Sequence, residues 1–321
     1  MRILLAGATG AVGRSLLPRL VAAGHEVIGT TRSEMKVGLI RQHGGEALVA
    51  DGLDAEAMRR AVLSARPDVI VHEMTDLKGA SDLRHFDRLF AASNRLRTEG
   101  TDHLLAAARE AGVSRFVAQS FCGWPYARTG GAVKLEDDPL DPEPPRQLRR
   151  TLDAIRYVEK TVAQASGIDG IVLRYGAFYG PDTGLFDGPF IEQVLRRRVP
   201  VIGGGDGWWS FVHIEDAAAA TTLAIDRGVA GNIYNIVDDE PAPMREWLPT
   251  LASMLGAGPP RHVPAWLGRL AAGEHLVAMM TRQRAGSNAK AKRDLGWLPA
   301  HSSWRQGFAE IVRHRSTAGR S

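Results

Sequence analysis

Apolar runs of strand length alternate with amphipathic stretches of helix length through the first two-thirds of the chain. The apolar runs predict six strands, at 2–6, 26–31, 47–50, 68–72, 115–119 and 170–174. Between them, apolar residues recur at helical spacing, at 14–21, 55–64, about 83–111 and 149–166. Because this alternation is typical of a parallel sheet covered by helices on both faces, the pattern predicts an α/β fold.

Two segments interrupt the alternation. Residues 121–148 are rich in Gly, Pro and acidic residues, which favours either a solvated acidic loop or a lid over an active site. Beyond residue 181, short strands at 199–202 and 233–236 mix with helices and Pro-rich turns, which indicates a smaller lobe. We therefore expect a main domain over 1–180 with part of 210–240, a lobe over most of 181–313, and a polar, frayed tail at 314–321.

Composition narrows the functional class. The 321 residues include 44% hydrophobic and 24% charged residues, with a formal net charge of +4 and a single cysteine, Cys122. One cysteine excludes an internal disulfide or a cysteine metal cluster and suits a reducing cytoplasm. The histidines show no metal-ligand spacing, and the sequence has no nucleic-acid motif and no apolar run of about 18 residues. We expect a cytoplasmic protein with a small-molecule substrate, and no metal, nucleic acid or membrane.

The chemistry-bearing motif with the clearest context is a glycine turn near the start. Gly7-Ala-Thr9-Gly10-Ala11-Val12-Gly13 follows the first predicted strand and precedes the first predicted helix. This is the context that a dinucleotide fingerprint requires, with the phosphates facing the amides at the helix N-terminus. The motif lacks the Gly-Lys-Ser/Thr of a P-loop, and it predicts a nucleotide cofactor held by residues 7 and 9–13.

The end of the second strand favours NADP over NAD. NAD sites usually carry an acidic residue there for the ribose hydroxyls, whereas this chain reads Thr31-Arg32-Ser33. Arg32 is suited to a 2′-phosphate because its hydrogen bonds to that group are charge-assisted. The alternatives are that Arg32 is a solvated loop residue and that NAD is the cofactor.

Seven landmarks in the same order resemble an extended short-chain dehydrogenase/reductase of the NAD-dependent epimerase/dehydratase type. Besides the glycine turn they are Asp51-Gly-Leu-Asp54, Asn94 in Asn-Arg-Leu-Arg-Thr-Glu-Gly-Thr101, Arg174-Tyr-Gly-Ala-Phe-Tyr-Gly-Pro181, Phe211-Val-His-Ile-Glu-Asp216, Tyr234-Asn-Ile236 and Leu295-Gly-Trp297. The resemblance implies a Rossmann-type doubly wound parallel sheet with a smaller C-terminal substrate-binding lobe, and a homodimer. It also adds Asp51, Gly52, Leu53, His72 and Tyr175 to the expected cofactor contacts.

The catalytic positions depart from the family pattern. Alignment on Glu159 places Thr151 where the family has its Tyr, Ile155 where it has its Lys, and Phe121, beside Ser120, where it has its Ser. Neither Thr nor Ile titrates near neutral pH, so the usual proton relay is absent. Tyr157 and Lys160 are one residue too close to be the motif, although a rearranged pair stays open.

The remaining candidates for proton donation are Ser120, Tyr126 and Thr151, each of which also has a purely structural interpretation. Cys122 suits a small buried residue better than a nucleophile. Three functions follow as hypotheses. The first is an NADP(H)-dependent reductase acting on a carbonyl or an activated aromatic compound. The second is a nucleotide-sugar epimerase or dehydratase, and the third is a catalytically silent dinucleotide sensor.

Overall fold

A computed structural model describes residues 1–76, 85–183 and 189–318. Seven of its strands build the central sheet: β1 (Arg2–Ala6), β2 (Glu26–Thr31), β3 (Glu46–Val49), β4 (Val69–His72), β5 (Arg115–Phe121), β7 (Asp169–Tyr175) and β12 (Ile233–Ile236). The short strands are β6 (Val133–Lys134), β8 (Ala177–Tyr179), β9 (Val201–Ile202), β10 (Trp208–Trp209), β11 (Phe211–His213), β13 (Ala242–Pro243), β14 (His262–Val263) and β15 (Ala285–Gly286).

The central sheet is parallel, with the order β12-β7-β5-β4-β1-β2-β3. The strand order reverses beside β1, because β2 lies on one side of it and β4 on the other. At that point the ends of the strands align, with Ala6 opposite Thr30 in β2 and His72 in β4. Open α/β sheets bind ligands outside the carboxyl ends of their strands at such a reversal. The predicted fold class is confirmed.

The helices are α1 (Ala11–Ala22), α2 (Val37–Gln42), α3 (Ala55–Ala65), α4 (Phe86–Leu89), α5 (Ala91–Arg95), α6 (Thr101–Ala111), α7 (Arg149–Ala163), α8 (Pro189–Leu195), α9 (Ile214–Arg227), α10 (Met244–Met254), α11 (Ala265–Ala272), α12 (Glu274–Arg282), α13 (Ala289–Leu295) and α14 (Trp304–Ala318). Within these residues no helix is both long and apolar enough to span a bilayer.

Side chains that alternate along the strands build a core on each face of the sheet. On one face, Ile3 and Leu5 pack with residues of α1 and α9, including Leu16 and Ala217. On the other face, Leu4 packs with residues of α3, α6 and α7. Strands buried on both faces read as continuous apolar runs, which explains why the sequence indicates them so clearly.

The long helix predicted at about 83–111 is helical over most of its described part, but a turn at Phe90 and a π-helical turn interrupt it. Its described part, from residue 85, comprises α4, α5, a π-helical turn at Leu96–Gly100 and α6. Gly100 sits where a side chain would come 3.4 Å from the carbonyl oxygen of Gly52. Single π-helical turns inside helices are frequent near functional sites, and this one faces the end of β3.

The acidic segment 121–148 is not a solvated loop, because it packs against the edge of the sheet. Its β6 pairs with β15, and Tyr126 forms an isolated bridge with Leu140. Glu136 is buried and accepts a 2.9 Å hydrogen bond from the backbone N–H of Asn235, while Asp141 pairs with Arg128 at 2.8 Å. Buried and paired in this way, Glu136 and Asp141 fix the segment in place.

The smaller lobe has its own aromatic core, in which Phe211 packs edge-on against Trp247 and Phe308. Trp304 and Phe308 belong to α14, which extends to Ala318. The polar tail expected at 314–321 is therefore helical through residue 318, and 319–321 lie outside the described residues. Because α14 contributes two buried aromatic residues, the C-terminal segment forms part of the lobe.

Candidate functional site

The glycine turn brings the backbone of β1 and α1 into close contact with the end of β4. Gly7 has φ +96°, and a Cβ there would lie 2.7 Å from the carbonyl carbon of Glu73. A Cβ on Gly13 would overlap the carbonyl oxygen of Gly7. Gly10 donates its N–H to that same carbonyl at 2.9 Å, which closes the turn. The turn therefore leaves open the space above the N-terminus of α1.

A cleft of about 390 Å³ opens above this turn at the carboxyl edge of the sheet. Its described lining residues are Gly7, Thr9, Gly10, Ala11, Arg14, Thr30, Thr31, Arg32, Ser33, Lys36, Ala50, Asp51, Gly52, Leu53, Glu73, Met74, Thr75, Asp76, Ala92, Leu96, Asp182 and Thr183. Of the residues predicted to contact the cofactor, Gly7, Thr9, Gly10, Ala11, Arg32, Asp51, Gly52 and Leu53 are among them. The sequence thus located one cleft from motifs that are up to 46 residues apart.

Four residues that were predicted to contact the cofactor are not among the lining residues of the cleft: Val12, Gly13, His72 and Tyr175. Val12 is 5% exposed and packs in the core beneath α1, and Gly13 contacts the turn itself. Both shape the cleft through their positions in the backbone. Their predicted contact with the cofactor stays a prediction.

The end of the cleft that follows β2 is basic. Arg32, Ser33 and Lys36 line it, and Arg32 Nη1 lies 2.9 Å from Asp76 Oδ2. The hydrogen bond to Asp76 raises the pKa of Arg32 above its ordinary value. Arg14, at the neighbouring helix terminus, pairs with Asp182 at 3.0 Å. Each arginine is partly exposed, so each can contact both its acidic partner and an anionic ligand.

These residues fit a dinucleotide. The glycine turn supplies the close backbone approach that a pyrophosphate needs, and the N-terminus of α1 supplies its dipole. Asp51 and Leu53, which are expected to flank the adenine, lie in a turn in which Asp51 Oδ1 accepts the N–H of Leu53 at 3.0 Å. Arg32 and Lys36 stand beside the expected ribose. A bound nicotinamide dinucleotide would supply hydride chemistry at this edge of the sheet.

His72 is a structural residue. Its ring is 2% exposed, with Nδ1 accepting the N–H of Met74 at 3.3 Å and Nε2 at 3.2 Å from the carbonyl oxygen of Leu96. Burial lowers the pKa of His72 to about 4, so the ring is neutral near pH 7. It fixes the loop after β4 against the π-helical turn, and this places the backbone of the cleft.

Sequence reasoning missed Glu73, an acidic residue in the lining of the cleft. Glu73 is 4% exposed, and its Oε1 lies 2.9 Å from the hydroxyl of Tyr175. That hydroxyl also lies 2.7 Å from Thr221 Oγ1 in α9. Burial raises the pKa of Glu73 to about 8, and its contact with Tyr175 opposes this only in part. An acidic residue directly after the apolar run of β4 was the available signal.

Ser120 contacts a buried ion pair. Its hydroxyl donates a 2.6 Å hydrogen bond to Glu159 Oε1, and Glu159 binds Arg174 through two bonds of 2.7 Å. Ser120, Glu159 and Arg174 are all at most 5% exposed. Breaking one partner of a buried pair leaves an uncompensated charge, so this contact stabilises the fold. The predicted catalytic role of Ser120 has no support in this geometry.

Tyr126 belongs to the same network. Its hydroxyl donates to Asn235 Oδ1 at 2.7 Å and accepts from Arg174 Nη1 at 3.0 Å. Burial raises the pKa of Tyr126 further above its ordinary value, and Cys122 beside it is raised to about 12. Neither group gives up a proton near neutral pH. Both hold the segment after β5 against the sheet.

Thr151 anchors the start of α7. Asp87 Oδ1 accepts its backbone N–H at 2.9 Å and its hydroxyl at 2.7 Å, and Asn94 Nδ2 donates to Thr151 Oγ1 at 3.0 Å. Ile155, one turn later, packs with Phe86 and Trp124. Asp87, which belongs to α4, thus caps the N-terminus of α7 in the way that an N-cap residue usually does. The expected positions of Tyr and Lys are occupied by a capped threonine and a core isoleucine.

The rearranged Tyr157–Lys160 pair is not formed at the cleft. Tyr157 is 39% exposed and donates to the carboxylate of Asp102 in α6, at 2.7 Å to Oδ2. This hydrogen bond raises the pKa of Tyr157. The side chain joins α6 to α7 on the outer surface.

Comparison with known proteins agrees with this architecture. The sequence profile of the NAD-dependent epimerase/dehydratase family matches residues 3–237. The chain belongs to this family. Among curated relatives, a 3-diazoavenalumate denitrifying reductase from a Streptomyces species is 42% identical over 310 residues, covering 96% of this chain and 99% of the relative. A 4-hydroxy-2-methyl-3-oxo-4-farnesyl-3,4-dihydroquinoline-1-oxide ketoreductase from Stigmatella aurantiaca is 27% identical, covering 99% and 98%.

Among solved structures, UDP-glucose 4-epimerase from Thermotoga maritima aligns with a TM-score of 0.77 at 22% identity, covering 99% of each chain. This likeness supports the fold. The family and the named reductases identify the protein as an NAD(P)-dependent enzyme of oxidoreductase type. A silent dinucleotide sensor, the third hypothesis, is set aside.

Two further clusters of this family enzyme lie outside the cofactor cleft. Arg196, Arg197 and Arg198 line a separate exposed cleft in the smaller lobe, together with Arg261. They share no lining residue with the cofactor cleft among the described residues.

The second cluster joins α9 to the segment before α14. The rings of His213 and His301 stack at 3.7 Å, and Asp216 accepts the N–H groups of Ala300 and His301 as well as contacting His301 Nδ1 at 2.9 Å. Their ligand atoms lie within 4.8 Å of one another, a proximity that the histidine spacing did not reveal. Because protein donors already contact both oxygens of Asp216, we interpret this cluster as a structural link between α9 and the segment before α14.

Proposed function

We propose that this enzyme is an NADP(H)-dependent reductase that delivers a hydride to an electron-poor aromatic small molecule, with an aryl diazo compound as the leading substrate class. The observation that carries this proposal is the environment of Thr151 and Ile155. Both are 1% exposed, and both are committed to packing and capping where the family pattern places its Tyr and Lys.

Hydride transfer to a ketone creates an alkoxide, which needs a proton donor nearby. Among the described residues at the expected positions, none can supply that proton. An acceptor that is already cationic has no such need. An arenediazonium ion takes a hydride at its terminal nitrogen to give an aryl diazene, Ar–N=N–H. The diazene loses N₂ and its hydrogen replaces nitrogen on the ring, so charge, atoms and electrons balance without an acid.

The 42% identical Streptomyces relative supports this substrate class, because its name describes a reductase that removes nitrogen from a diazo compound. Its similarity extends over 96% of this chain, so both the cofactor half and the smaller lobe are included. The basic end of the cleft supports the choice of NADP over NAD, since Arg32, Ser33 and Lys36 can contact a 2′-phosphate.

The experiment combines the purified protein with NADPH and 4-hydroxybenzenediazonium as the probe. We expect enzyme-dependent loss of NADPH absorbance with one N₂ and one phenol formed for each NADPH consumed. A reaction without enzyme measures spontaneous reduction. Thr151→Val is the matched variant, and it should keep its kcat because the hydroxyl of Thr151 is already bound to Asp87 and Asn94. Loss of NADPH without release of N₂, or a large fall in kcat for Thr151→Val, would contradict the proposal.

Carbonyl reduction is the second candidate, and the Stigmatella ketoreductase favours it. A panel of aryl ketones under the same conditions separates the two, because ketone turnover consumes NADPH and releases no N₂. Nucleotide-sugar epimerisation, the hypothesis suggested by the family name, would give a third outcome that differs from both. It would convert a UDP-sugar with no net consumption of the dinucleotide.

A further inference from the structure

Glu73, Tyr175 and Thr221 form a chain of hydroxyl and carboxyl groups beneath the cofactor cleft. Thr221 Oγ1 donates its proton to the carbonyl oxygen of Ala217 at 2.7 Å. Its 2.7 Å contact with the hydroxyl of Tyr175 therefore requires the tyrosine proton. Once that proton is used, the 2.9 Å contact between Tyr175 and Glu73 Oε1 requires a proton from Glu73. Proton counting along the chain thus favours a neutral carboxylic acid.

The second carboxyl oxygen points to a ligand. Glu73 Oε2 is buried and has no hydrogen-bond partner among the described residues. Leaving a buried polar atom unsatisfied is energetically costly, so such atoms usually have a partner when the protein is functioning. Glu73 lines the cofactor cleft, and its backbone contacts the glycine turn at Gly7. A bound dinucleotide carries amide and hydroxyl donors that could contact this oxygen.

We propose that Glu73 acts as a protonated acid in the floor of the cofactor site, that its Oε2 accepts a hydrogen bond from the bound dinucleotide, and that cofactor binding therefore depends on its protonation. An ionised Glu73 would break the chain to Thr221 and would place a negative charge beside an anionic ligand. The inference rests on the proposed binding of a nicotinamide dinucleotide in this cleft.

The groups that face Glu73 allow a pH test, because they are not expected to change charge between pH 7 and 9. Tyr175 is the titratable group facing it from β7, and its pKa is raised well above its ordinary value by burial. Thr221 from α9 does not titrate, and the turn at Gly7 contributes backbone. His72, the preceding residue, stays neutral above pH 7. The carboxyl of Glu73, with its pKa near 8, is thus the group expected to change charge between pH 7 and 9.

The test measures the Kd for NADPH by fluorescence titration from pH 7 to pH 9, a range above the second ionisation of the 2′-phosphate near pH 6. For the wild type, Kd should rise about tenfold over this range, as expected when only the protonated form binds and its pKa is near 8. Glu73→Gln should bind within about twofold of wild type at pH 7 and show no rise, because a neutral amide supplies one donor and one acceptor. Glu73→Leu should bind about 3- to 10-fold more weakly at pH 7.

Calorimetry of the wild type gives a second readout that needs no substitution. At pH 8.5, titration with NADPH in buffers of different ionisation enthalpy should show proton uptake by the protein. Glu110→Gln, which changes an exposed carboxyl paired with Arg59, is the matched control and should retain the pH dependence of the wild type. A Glu73→Gln curve that rises like wild type, a Glu73→Leu variant that binds like wild type, or no proton uptake would overturn the inference. Failure of the wild type to bind NADPH at pH 7 would instead overturn the proposed cofactor.

Discussion

Replacement of Arg32 by Ala is the substitution that tests the cofactor assignment most directly. The side chain stands at the end of β2, 2.9 Å from Asp76 and about half exposed. A hydrogen bond to a charged group contributes about 1.5–3 kcal/mol when well shielded. Because Arg32 is half exposed and shared with Asp76, we take a value just below this range, about 1.4 kcal/mol, which corresponds to a tenfold change in Kd.

Arg32→Ala should therefore raise the Kd for NADPH about tenfold and that for NADH less than twofold. Asp76→Asn should act in the opposite direction, because it removes a carboxylate that competes for Arg32 and repels a phosphate. At a separation of about 6 Å in a water-like medium this repulsion is about 0.7 kcal/mol, or a threefold tighter Kd for NADPH. The two substitutions should thus change the Kd for NADPH in opposite directions, which a general structural defect would not do.

Fluorescence titration of both cofactors with wild type, Arg32→Ala and Asp76→Asn provides the measurement, at 50 mM and 500 mM salt. The gap between wild type and Arg32→Ala should narrow at high salt, since exposed charges are screened. Equal losses for NADPH and NADH in Arg32→Ala would refute the reasoning. So would a weaker Kd for NADPH in Asp76→Asn, because it would mean that Asp76 itself holds the ribose.

Three further substitutions test the structural assignments. Glu159→Gln should lower the free energy of unfolding by about 3–5 kcal/mol in urea titration, because it leaves the buried partner arginine uncompensated; Tyr157→Phe, on the exposed surface, should cost less than about 1 kcal/mol. Asp87→Ala should cost about 1 kcal/mol by removing the cap of α7, with kcat unchanged in the protein that remains folded. Burial raises the pKa of Asp238 to about 8. Its folded state therefore binds more protons than its unfolded state between about pH 4 and 8, so this carboxyl lowers stability as pH rises through that window. Asp238→Asn should be stabilised relative to wild type at pH 8 and less so at pH 5, and thermal melts at both values check the difference.

The strands were the most predictable part of the fold. The prediction for β2 matches residue for residue, as does that for the short strand at 233–236, because both are rich in β-branched or aromatic residues and follow a glycine-containing turn. The cofactor cleft was predictable for a related reason: the glycine turn and Arg32 act through local backbone geometry and position at a strand end. Such features depend on neighbours in sequence, so one chain suffices to recognise them.

The roles of the polar side chains could not be predicted in this way. Ser120 meets Glu159 across 39 residues, and Thr151 meets Asp87 across 64. Whether a hydroxyl faces a substrate or a buried carboxylate depends on packing between distant elements, which periodicity does not encode. Glu73 was missed although its position at the end of β4 was visible. Neither its burial nor the missing partner of its Oε2 can be read from the sequence.

The packing around α7 indicates whether the family's Tyr and Lys could simply be restored at positions 151 and 155. Thr151 and Ile155 are each 1% exposed, and Ile155 packs among Phe86, Trp124 and Leu152. Introducing Tyr and Lys at these positions would add volume to a filled core, at a cost of about 1–3 kcal/mol for overpacking alone, and would bury an ammonium group without an acidic partner. The double substitution should therefore destabilise the enzyme without raising its rate on ketones. The proposed diazonium acceptor suits such a site, because its reduction by hydride needs no proton donor.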